Sequence, residues 1–197
     1  GKEYTENEII DILSRRKIKS EKLDNVPLRI AKLLSEGKIV ARFDGRMEFG
    51  ERALGNRSIL ADPRIPEMKD KINSIIKYRE SYRPFAPSVI QEKVSKFFDV
   101  PDDFQCPYME KVIPVKSEFR NKLPAITHVD GSARIHTVNK QDNENFYNIL
   151  LEMDKLTGFP IVLNTSFNIN GEPIVMSPND ALNTFFNSGL EYLILGN

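Results

Sequence analysis

The sequence predicts a mixed fold of the α/β or α+β class, with helices flanking an open mixed sheet. Helical and strand patterns alternate along the 197 residues without a strict repeat. Hydrophobic residues make up 40% of the chain and charged residues 28%, which is typical of a globular domain and excludes a disordered tail. We therefore expect residues 1–197 to form one domain, with leading helices in residues 1–37.

The first third of the chain contains two helices, a strand and a long loop in this interpretation. A capping-box pattern at Thr5–Glu8 begins the first helix, and a basic run ends it. Pro27 lies near the first turn of the second helix, and Gly37 stops that helix. The mainly apolar segment 38–43 predicts a buried strand. Residues 44–64 hold three glycines and four arginines and are interpreted as a shaped loop.

The middle of the chain is predicted to contain a helix, a strand and irregular edge structure. Apolar residues at spacings of three and four predict a helix over Pro66–Glu80. Two prolines then exclude a helix, and a strand is expected at Ser88–Ile90. Prolines recur from about Asp99 to Leu123, which indicates edge structure with short β-like runs. Weak alternation predicts a strand at Ala133–Val138.

The last third alternates helix and strand. Apolar periodicity predicts a helix from about Asn143 to Gly158, and a short apolar strand follows at Ile161–Leu163. Residues 164–171 are polar and predict a turn-rich loop. A final helix over Pro178–Ser188 and a strand over Tyr192–Leu195 complete the prediction.

Charge and composition limit the classes of function. Lys plus Arg (28) equals Asp plus Glu (28), which argues against general affinity for nucleic acid or an anionic membrane. Seven of the twelve arginines fall between Arg42 and Arg83, a cluster that suggests a specific anion. One cysteine, Cys106, and two histidines leave little for a metal centre, so no metal site is expected. The absence of a signal or spanning segment makes the cytoplasm the expected location.

Two polar segments are candidates for binding an anion. Lys77, Arg79 and Arg83 lie at the end of a predicted helix, and a solvated basic helix end is the alternative interpretation. The stretch 164–168 can donate hydrogen bonds to a phosphate or an amide, although such residues also form ordinary turns. His128 lies two residues before Asp130, a spacing compatible with acid–base or metal chemistry and also with a structural histidine.

Four long motifs resemble one known family. They are GRMEFGERALGNRSILADPR at 45–64, KYRESYRPFAPSV at 77–89, HVDGSARIHTV at 128–138 and LNTSFNINGEPIV at 163–175. In this order and spacing they resemble the carboxy-terminal domain of the O-carbamoyltransferases, which carbamoylate hydroxyl groups of nodulation factors and antibiotics. The resemblance runs from about Tyr4 to the end. Glu51 stands where the family usually has proline, a departure that affects loop stiffness and one local charge.

The resemblance implies a YrdC-like fold, an open twisted sheet with a basic concave surface. Lys77-Tyr78-Arg79 and Ser166-Phe167-Asn168 match the family's lysine–arginine pair and Ser-x-Asn, so Lys77, Arg79, Ser166 and Asn168 are the expected catalytic residues. Further side chains are expected to bind ATP and carbamoyl phosphate: Arg52, Arg57, Arg83, His128, Arg134, Asn164 and Thr165.

The resemblance also implies a reaction and a partner. The reaction is ATP-dependent activation of carbamoyl phosphate to carbamoyl adenylate and pyrophosphate, with Mg²⁺ accompanying ATP. Final transfer to a hydroxyl group is expected in a larger amino-terminal domain of the actin-like ATPase type, which is absent from this sequence and would hold an iron-type metal. Two alternatives stay open. The chain could be a non-catalytic domain that completes the site of that missing partner, or an RNA-binding YrdC-like module, which the zero net charge disfavours.

Overall fold

The computed structural model of the chain describes residues 1–78 and 85–196. Its α-helices are α1 (Glu6–Arg15), α2 (Val26–Ser35), α3 (Met68–Ile72), α4 (Val94–Phe97), α5 (Ser117–Arg120), α6 (Glu144–Thr157) and α7 (Pro178–Phe186). Its strands are β1 (Val40–Phe43), β2 (Arg57–Ala61), β3 (Ala86–Ile90), β4 (Lys111–Pro114), β5 (Ser132–Val138), β6 (Ile161–Ser166) and β7 (Tyr192–Leu195). Within these two ranges, no helix is long and apolar enough to cross a lipid bilayer.

The strands form one seven-stranded sheet in the order β4-β5-β3-β6-β2-β1-β7. Strand β1 runs parallel to β7, and β3 runs parallel to β5. The other four pairings are antiparallel. The predicted open mixed sheet with flanking helices is therefore confirmed, and β4, in the proline-rich middle segment, is an edge strand.

Each face of the sheet packs against its own apolar cluster. Side chains on successive strand positions point to opposite faces. Val40, Leu60 and Val162 pack with α2 and α6 on one face, which we call the α6 face. Ile59 and Leu163 belong to the larger cluster on the other face, which also contains residues of α3 and α7, such as Met68 and Ala181. Burial of both faces explains the wholly apolar run in β6.

Local signals place several helix ends as the sequence predicts. The Thr5 hydroxyl accepts the Glu8 N–H, and the Glu8 carboxylate accepts the Thr5 N–H, which is the predicted capping box. The Asn143 side chain accepts the Phe146 N–H at the start of α6. Gly158 ends α6 with φ of +77°, a left-handed conformation that glycine adopts without steric cost.

Three predicted segments differ from the structure. The segment 44–64, predicted to be a loop, contains the fully buried strand β2. Strand β6 continues through Asn164–Ser166, which were assigned to a loop. The helix predicted over 66–80 consists of α3 followed by a π-helical turn at Asn73–Lys77. Both strand segments contain polar residues, whose local turn preference predicts loops. Pairing with neighbouring strands overrides this preference.

Candidate functional site

Seven strand ends meet at one edge of the sheet. Strands β1, β4, β6 and β7 end there, while β2, β3 and β5 begin there. The register fixes this arrangement, because Ser58 of β2 and Ala86 of β3 pair with Ser166 and Asn164 of β6. Loops that are distant in sequence are thereby gathered beside the same part of the sheet.

At this edge the α6 face becomes polar. Arg42, Ser58 and Ser166 are cross-strand neighbours on that face, two residues beyond the apolar Val40 and Leu60. Further along, Ser88 of β3 pairs with His136 of β5. One face of the sheet therefore carries an apolar half under the helices and a polar half at the strand ends.

Lys77 connects the two segments that the sequence predicts to share a site. Its Nζ lies 2.7 Å from the Ser166 carbonyl oxygen and 3.3 Å from Ser166 Oγ. The same nitrogen lies 3.0 Å from the Asn168 carbonyl oxygen and 2.8 Å from Asn168 Oδ1. The Ser166 hydroxyl also donates to Asn168 Oδ1 at 2.6 Å. The structure thus brings Lys77, Ser166 and Asn168 into direct contact, although 89 residues separate the first two.

The backbone around Lys77 has two uncommon features that position its side chain. The π-helical turn closes with the Tyr78 N–H donating to the Asn73 carbonyl at 2.7 Å. Tyr78 has φ of +43°, a left-handed conformation that is uncommon for a bulky residue. π-Helical turns and residues in left-handed strain concentrate at functional sites. Arg79 and Arg83, the other cations predicted in this segment, lie outside the described residues.

A second group of cations lies around the start of β5. Burial and the nearby charge of Arg52 both lower the pKa of Arg134, which places two guanidinium groups close enough to repel each other. Burial is also the main cause that lowers the pKa of His128, and Lys69 and Arg134 lower it further. His128 Nε2 is buried and has no hydrogen-bond partner within 1–78 and 85–196. The charges of Asp130 and Glu51 oppose these shifts, and Glu51 lies 3.1 Å from Arg52, but the cations outnumber the carboxylates, and an excess of positive charge favours an anionic ligand.

Asn164 is held rigidly between these groups. Its side chain is 1% exposed, and its Nδ2 donates to the Ala53 carbonyl and to Ser88 Oγ, both at 3.0 Å. Ser88 Oγ in turn lies 2.8 Å from His136 Nδ1. Thr165 takes the opposite face, because it pairs with Ile59 of the larger apolar cluster. The structure therefore separates Thr165 from Asn164 and Ser166, contrary to the expectation that all three face one ligand.

Arg57 is placed away from the expected substrate surface. Its guanidinium lies 3.6 Å from the centre of the Phe43 ring and donates to the carbonyls of Asp44 at 2.7 Å and Gly45 at 3.0 Å. The side chain is fully buried, and burial lowers its pKa. Its contacts hold the β1–β2 loop, residues 44–56, against the sheet, so the direct substrate contact expected for Arg57 does not fit its position.

Three charged residues of the same loop region have roles that the sequence analysis missed. Arg42 Nη2 pairs with Asp44 Oδ2 at 2.5 Å in the interior. Glu48 Oε1 accepts the N–H groups of Leu54 at 2.7 Å and Asn56 at 2.8 Å, while its Oε2 is buried without a partner in the described chain. No short motif marks Glu48, because its acceptor role depends on the loop curling back over it.

One large cavity has Asp44 and Gly45 of the β1–β2 loop in its wall. It has a volume of about 690 Å³ and lies between α1, residues 18–23 and the edge strand β7. None of the site residues predicted within the described ranges lines it. In those ranges, no group of three or more His, Cys, Asp or Glu side chains is placed to hold a metal ion. The polar edge, rather than this cavity, gathers the predicted residues.

Comparison with known proteins identifies the family. The family model described as "Carbamoyltransferase C-terminus" matches residues 31–197. The chain belongs to this family. It is 50% identical over 180 residues to nodulation protein NolNO of Sinorhizobium fredii, covering 91% of this chain and 26% of that protein. It is 48% identical over 177 residues to nodulation protein NolO of Bradyrhizobium diazoefficiens, covering 89% of this chain and 32% of that protein.

Solved structures show the same fold. Full-length HypF in a phosphate- and nucleotide-bound form superposes with a TM-score of 0.63 at 22% identity, over 87% of this chain and 25% of HypF. HypF from T. kodakarensis gives a TM-score of 0.62 at 17% identity, over 89% of this chain and 21% of that one. This carbamoyltransferase C-terminal chain therefore has the α/β fold of its HypF neighbours. It spans about a quarter to a third of the curated relatives it matches.

Proposed function

We propose that this chain catalyses the ATP-dependent activation of carbamoyl phosphate to carbamoyl adenylate. The observation that carries the proposal is the contact of Lys77 Nζ with Ser166 and Asn168. It joins the lysine and the Ser-x-Asn that the family resemblance assigns to nucleotide and anion binding. The nucleotide- and phosphate-bound state of the HypF neighbour supports ATP as a substrate of the fold.

The proposed reaction balances in two steps. Water first cleaves the oxygen–phosphorus bond of carbamoyl phosphate, which releases inorganic phosphate and carbamate. A carbamate oxygen then attacks the α-phosphorus of ATP and forms a new oxygen–phosphorus bond. The bond from that phosphorus to the α–β bridging oxygen breaks, and pyrophosphate leaves with the electron pair. No oxidant or protein nucleophile is needed, so the protein contributes position and charge.

The cations at the strand ends meet the main electrostatic demand of this reaction. Both substrates are polyanions, and their repulsion must be offset before the carbamate can approach the α-phosphorus. In the part of the site that the structure describes, the positive charge comes from Lys77, Arg134 and Arg52. The sequence assigns Arg79 and Arg83 to the same task. Ser166 and Asn168 hold the Lys77 ammonium in place, since the Ser166 hydroxyl and the Asn164 amide already donate within the protein, and His128 lies beside Arg134.

The chemistry that we assign to this chain ends at the adenylate. Mg²⁺ enters as part of the ATP substrate. Transfer to a hydroxyl acceptor needs a different site, and we assign it to the further part of the longer relatives, together with any iron-type metal. The two histidines and one cysteine of this chain offer no set of ligands for that step.

Isotope exchange tests the proposal directly. The 197-residue chain should exchange labelled pyrophosphate into ATP only when carbamoyl phosphate is present, and it should carbamoylate no alcohol. Exchange without carbamoyl phosphate, or transfer to an alcohol by this chain alone, would contradict the assignment. ATP binding without exchange would instead favour a non-catalytic domain that completes the site of a partner.

A further inference from the structure

Arg52, one of the cations of the proposed site, lies at the tip of the β1–β2 loop. The loop tip, residues 49–52, begins with Phe49, whose side chain is fully exposed. Gly50 has φ of +113°, and no atom of the described chain lies within 4 Å of the position that a Cβ would take there. Glu51 is also exposed. The position of Arg52 is therefore set by the backbone on either side of the tip rather than by packing of the tip itself.

Glu48 closes the loop on itself across this tip. Its Oε1 accepts the backbone N–H groups of Leu54 at 2.7 Å, Asn56 at 2.8 Å and Arg57 at 3.3 Å. A carboxylate oxygen can accept several hydrogen bonds at once. The side chain that precedes the tip is thereby bonded to the backbone that follows it, and Arg52 lies within the closed segment.

The sheet holds the residues after Arg52 from the other side. The Ala53 carbonyl accepts a hydrogen bond from Asn164 Nδ2 at 3.0 Å, and the Gly55 N–H donates to Ser58 Oγ at 3.0 Å. Gly55 has φ of +115°, and a Cβ there would lie 2.4 Å from the Phe146 ring, so this close approach requires glycine. Because Ala53 follows Arg52 directly, one end of the loop tip is fixed to β6.

Arg52 is held close to another cation. Burial lowers the pKa of Arg134, and the nearby charge of Arg52 lowers it further. Arg134 Nε is buried without a hydrogen-bond partner within 1–78 and 85–196. Like charges repel, so an unrestrained arginine on an exposed tip would move away from Arg134. The hydrogen bonds of the loop backbone oppose this repulsion.

We propose that Glu48 is a positioning residue, whose hydrogen bonds to the loop backbone keep Arg52 beside Arg134 so that the two guanidinium groups bind phosphate together. This inference rests on the proposed function, because that function places phosphate groups at these cations. Glu48 acts through the N–H groups of Leu54 and Asn56, and it supplies no charge to the ligand.

Two variants separate positioning from charge balance. Burial lowers the pKa of Arg57, and the charge of Glu48 opposes this, so Glu48 could instead serve only as a counter-charge. Glu48→Gln retains the oxygen and its reach but removes the charge. Glu48→Asp retains the charge, but its side chain is one methylene shorter, so its oxygens fall short of the N–H groups. The two roles therefore predict opposite orders for these variants.

Calorimetric titration of tripolyphosphate into the 197-residue chain measures the difference. Glu48→Gln should bind tripolyphosphate within about two-fold of wild type, and Glu48→Asp about 5-fold more weakly, since only the latter frees Arg52. The reverse order would overturn the inference. Asp62→Ala is the matched control and should leave the affinity unchanged, because Asp62 is a buried carboxylate that accepts the Arg64 N–H at the opposite end of β2. An equal loss in Asp62→Ala would assign the weakening to general destabilisation and would also overturn it.

A double-mutant cycle tests whether Glu48 acts through Arg52. Arg52→Met should weaken tripolyphosphate binding about 10-fold, the value of a hydrogen bond to a charged group. In that background Glu48→Asp should cause no further loss, whereas independent residues would give additive losses. Additive losses, or no tripolyphosphate binding by the wild-type chain, would overturn the inference. The cycle involves no reaction, so non-additive losses without pyrophosphate exchange would refute the proposed function alone, and exchange with additive losses would refute the positioning role alone.

Discussion

The β1–β2 loop region and the β5–β6 end of the sheet both concentrate cations, but they balance the charge differently. Arg42 pairs with the buried carboxylate of Asp44, and the nearby charge of Glu48 favours the charged form of Arg57. Arg134 is half-buried, and burial is the main cause that lowers its pKa; the nearby charge of Arg52 lowers it further, and the charge of Glu51 opposes this. An arginine-rich sequence therefore does not by itself mark an anion site. The distinguishing property is the burial of the carboxylate: Asp44 is a buried partner of Arg42, whereas Glu51, the carboxylate beside Arg52 and Arg134, is exposed.

The largest expected effect would come from breaking the internally balanced region. Asp44→Ala leaves the Arg42 guanidinium buried without its counter-charge, so the free energy of unfolding should fall by about 3–5 kcal/mol. Urea denaturation measures this change. Glu3→Ala, at an exposed carboxylate 4.0 Å from Arg46, is the control and should leave stability unchanged. A similar loss in the free energy of unfolding in the two variants would remove the contrast between buried and exposed arginine pairs.

The pH dependence of stability should show that His136 is neutral in the folded chain. Burial lowers its pKa from 6.5 to about 4, so the unfolded state binds the extra proton between these values. Stability from this residue is therefore complete above about pH 6.5 and is lost as the pH falls toward 4, with a total of about 3 kcal/mol. Urea denaturation from pH 4 to 7 should give a flatter profile in His136→Asn. An unchanged slope would assign the pH dependence to other groups.

At the β5–β6 end, loss of a cation should affect binding more than folding. Lys77→Met removes the charge and retains similar volume, so ATP affinity should fall by about 1.5–3 kcal/mol, the scale of a charge-assisted hydrogen bond. Calorimetric titration and thermal unfolding measure the two quantities. Lys71→Met, at a half-exposed lysine of α3 that pairs with Glu191, should change neither appreciably. If stability falls as much as affinity does, Lys77 serves mainly to hold the fold.

The smallest expected effect concerns the exposed carboxylate beside the cation pair. Glu51 lies 3.1 Å from Arg52, and its charge also favours the charged form of Arg134. Glu51→Gln should strengthen ATP binding by about two- to five-fold at low salt and by less at high salt, because exposed charges are screened. Titrations at two salt concentrations would measure it. Weaker binding in this variant would mean that Glu51 orients Arg52 more than it repels phosphate.

Elements bounded by local signals could be predicted from the sequence, whereas those made by pairing could not. Helix α6 lies within one residue of its predicted ends, because Asn143 and Gly158 act on their own helix. Strand β2 was missed since its residues become a buried strand only between β1 and β6. The end of β6 was missed for the same reason. Local turn preference describes Asn164–Ser166 in isolation, and pairing with Ser58 and Ile59 overrides it.

The candidate site could likewise be predicted only where local sequence signals mark its residues. Lys77 and the Ser166–Asn168 pair are recognisable as polar loop segments, and family resemblance joins them. Burial separates Arg57 from the other candidate arginines, and charge pattern alone carries no information on burial. Glu48 left no signal, since its partners are backbone N–H groups six and eight residues later in the chain. Which arginines face a ligand is therefore a property of the assembled fold.

The strand order has a consequence for how the chain acquires this site. Ser58 lies beside Ser166 across a strand pair, and Lys77 contacts a residue 89 positions away. Contacts between such distant segments require closure of long loops, which slows folding. No early local structure can bring the lysine, the serine and the arginine of β5 together. We expect a refolding chain to gain ATP binding only in the final folding phase. ATP binding would therefore report that the whole sheet has formed.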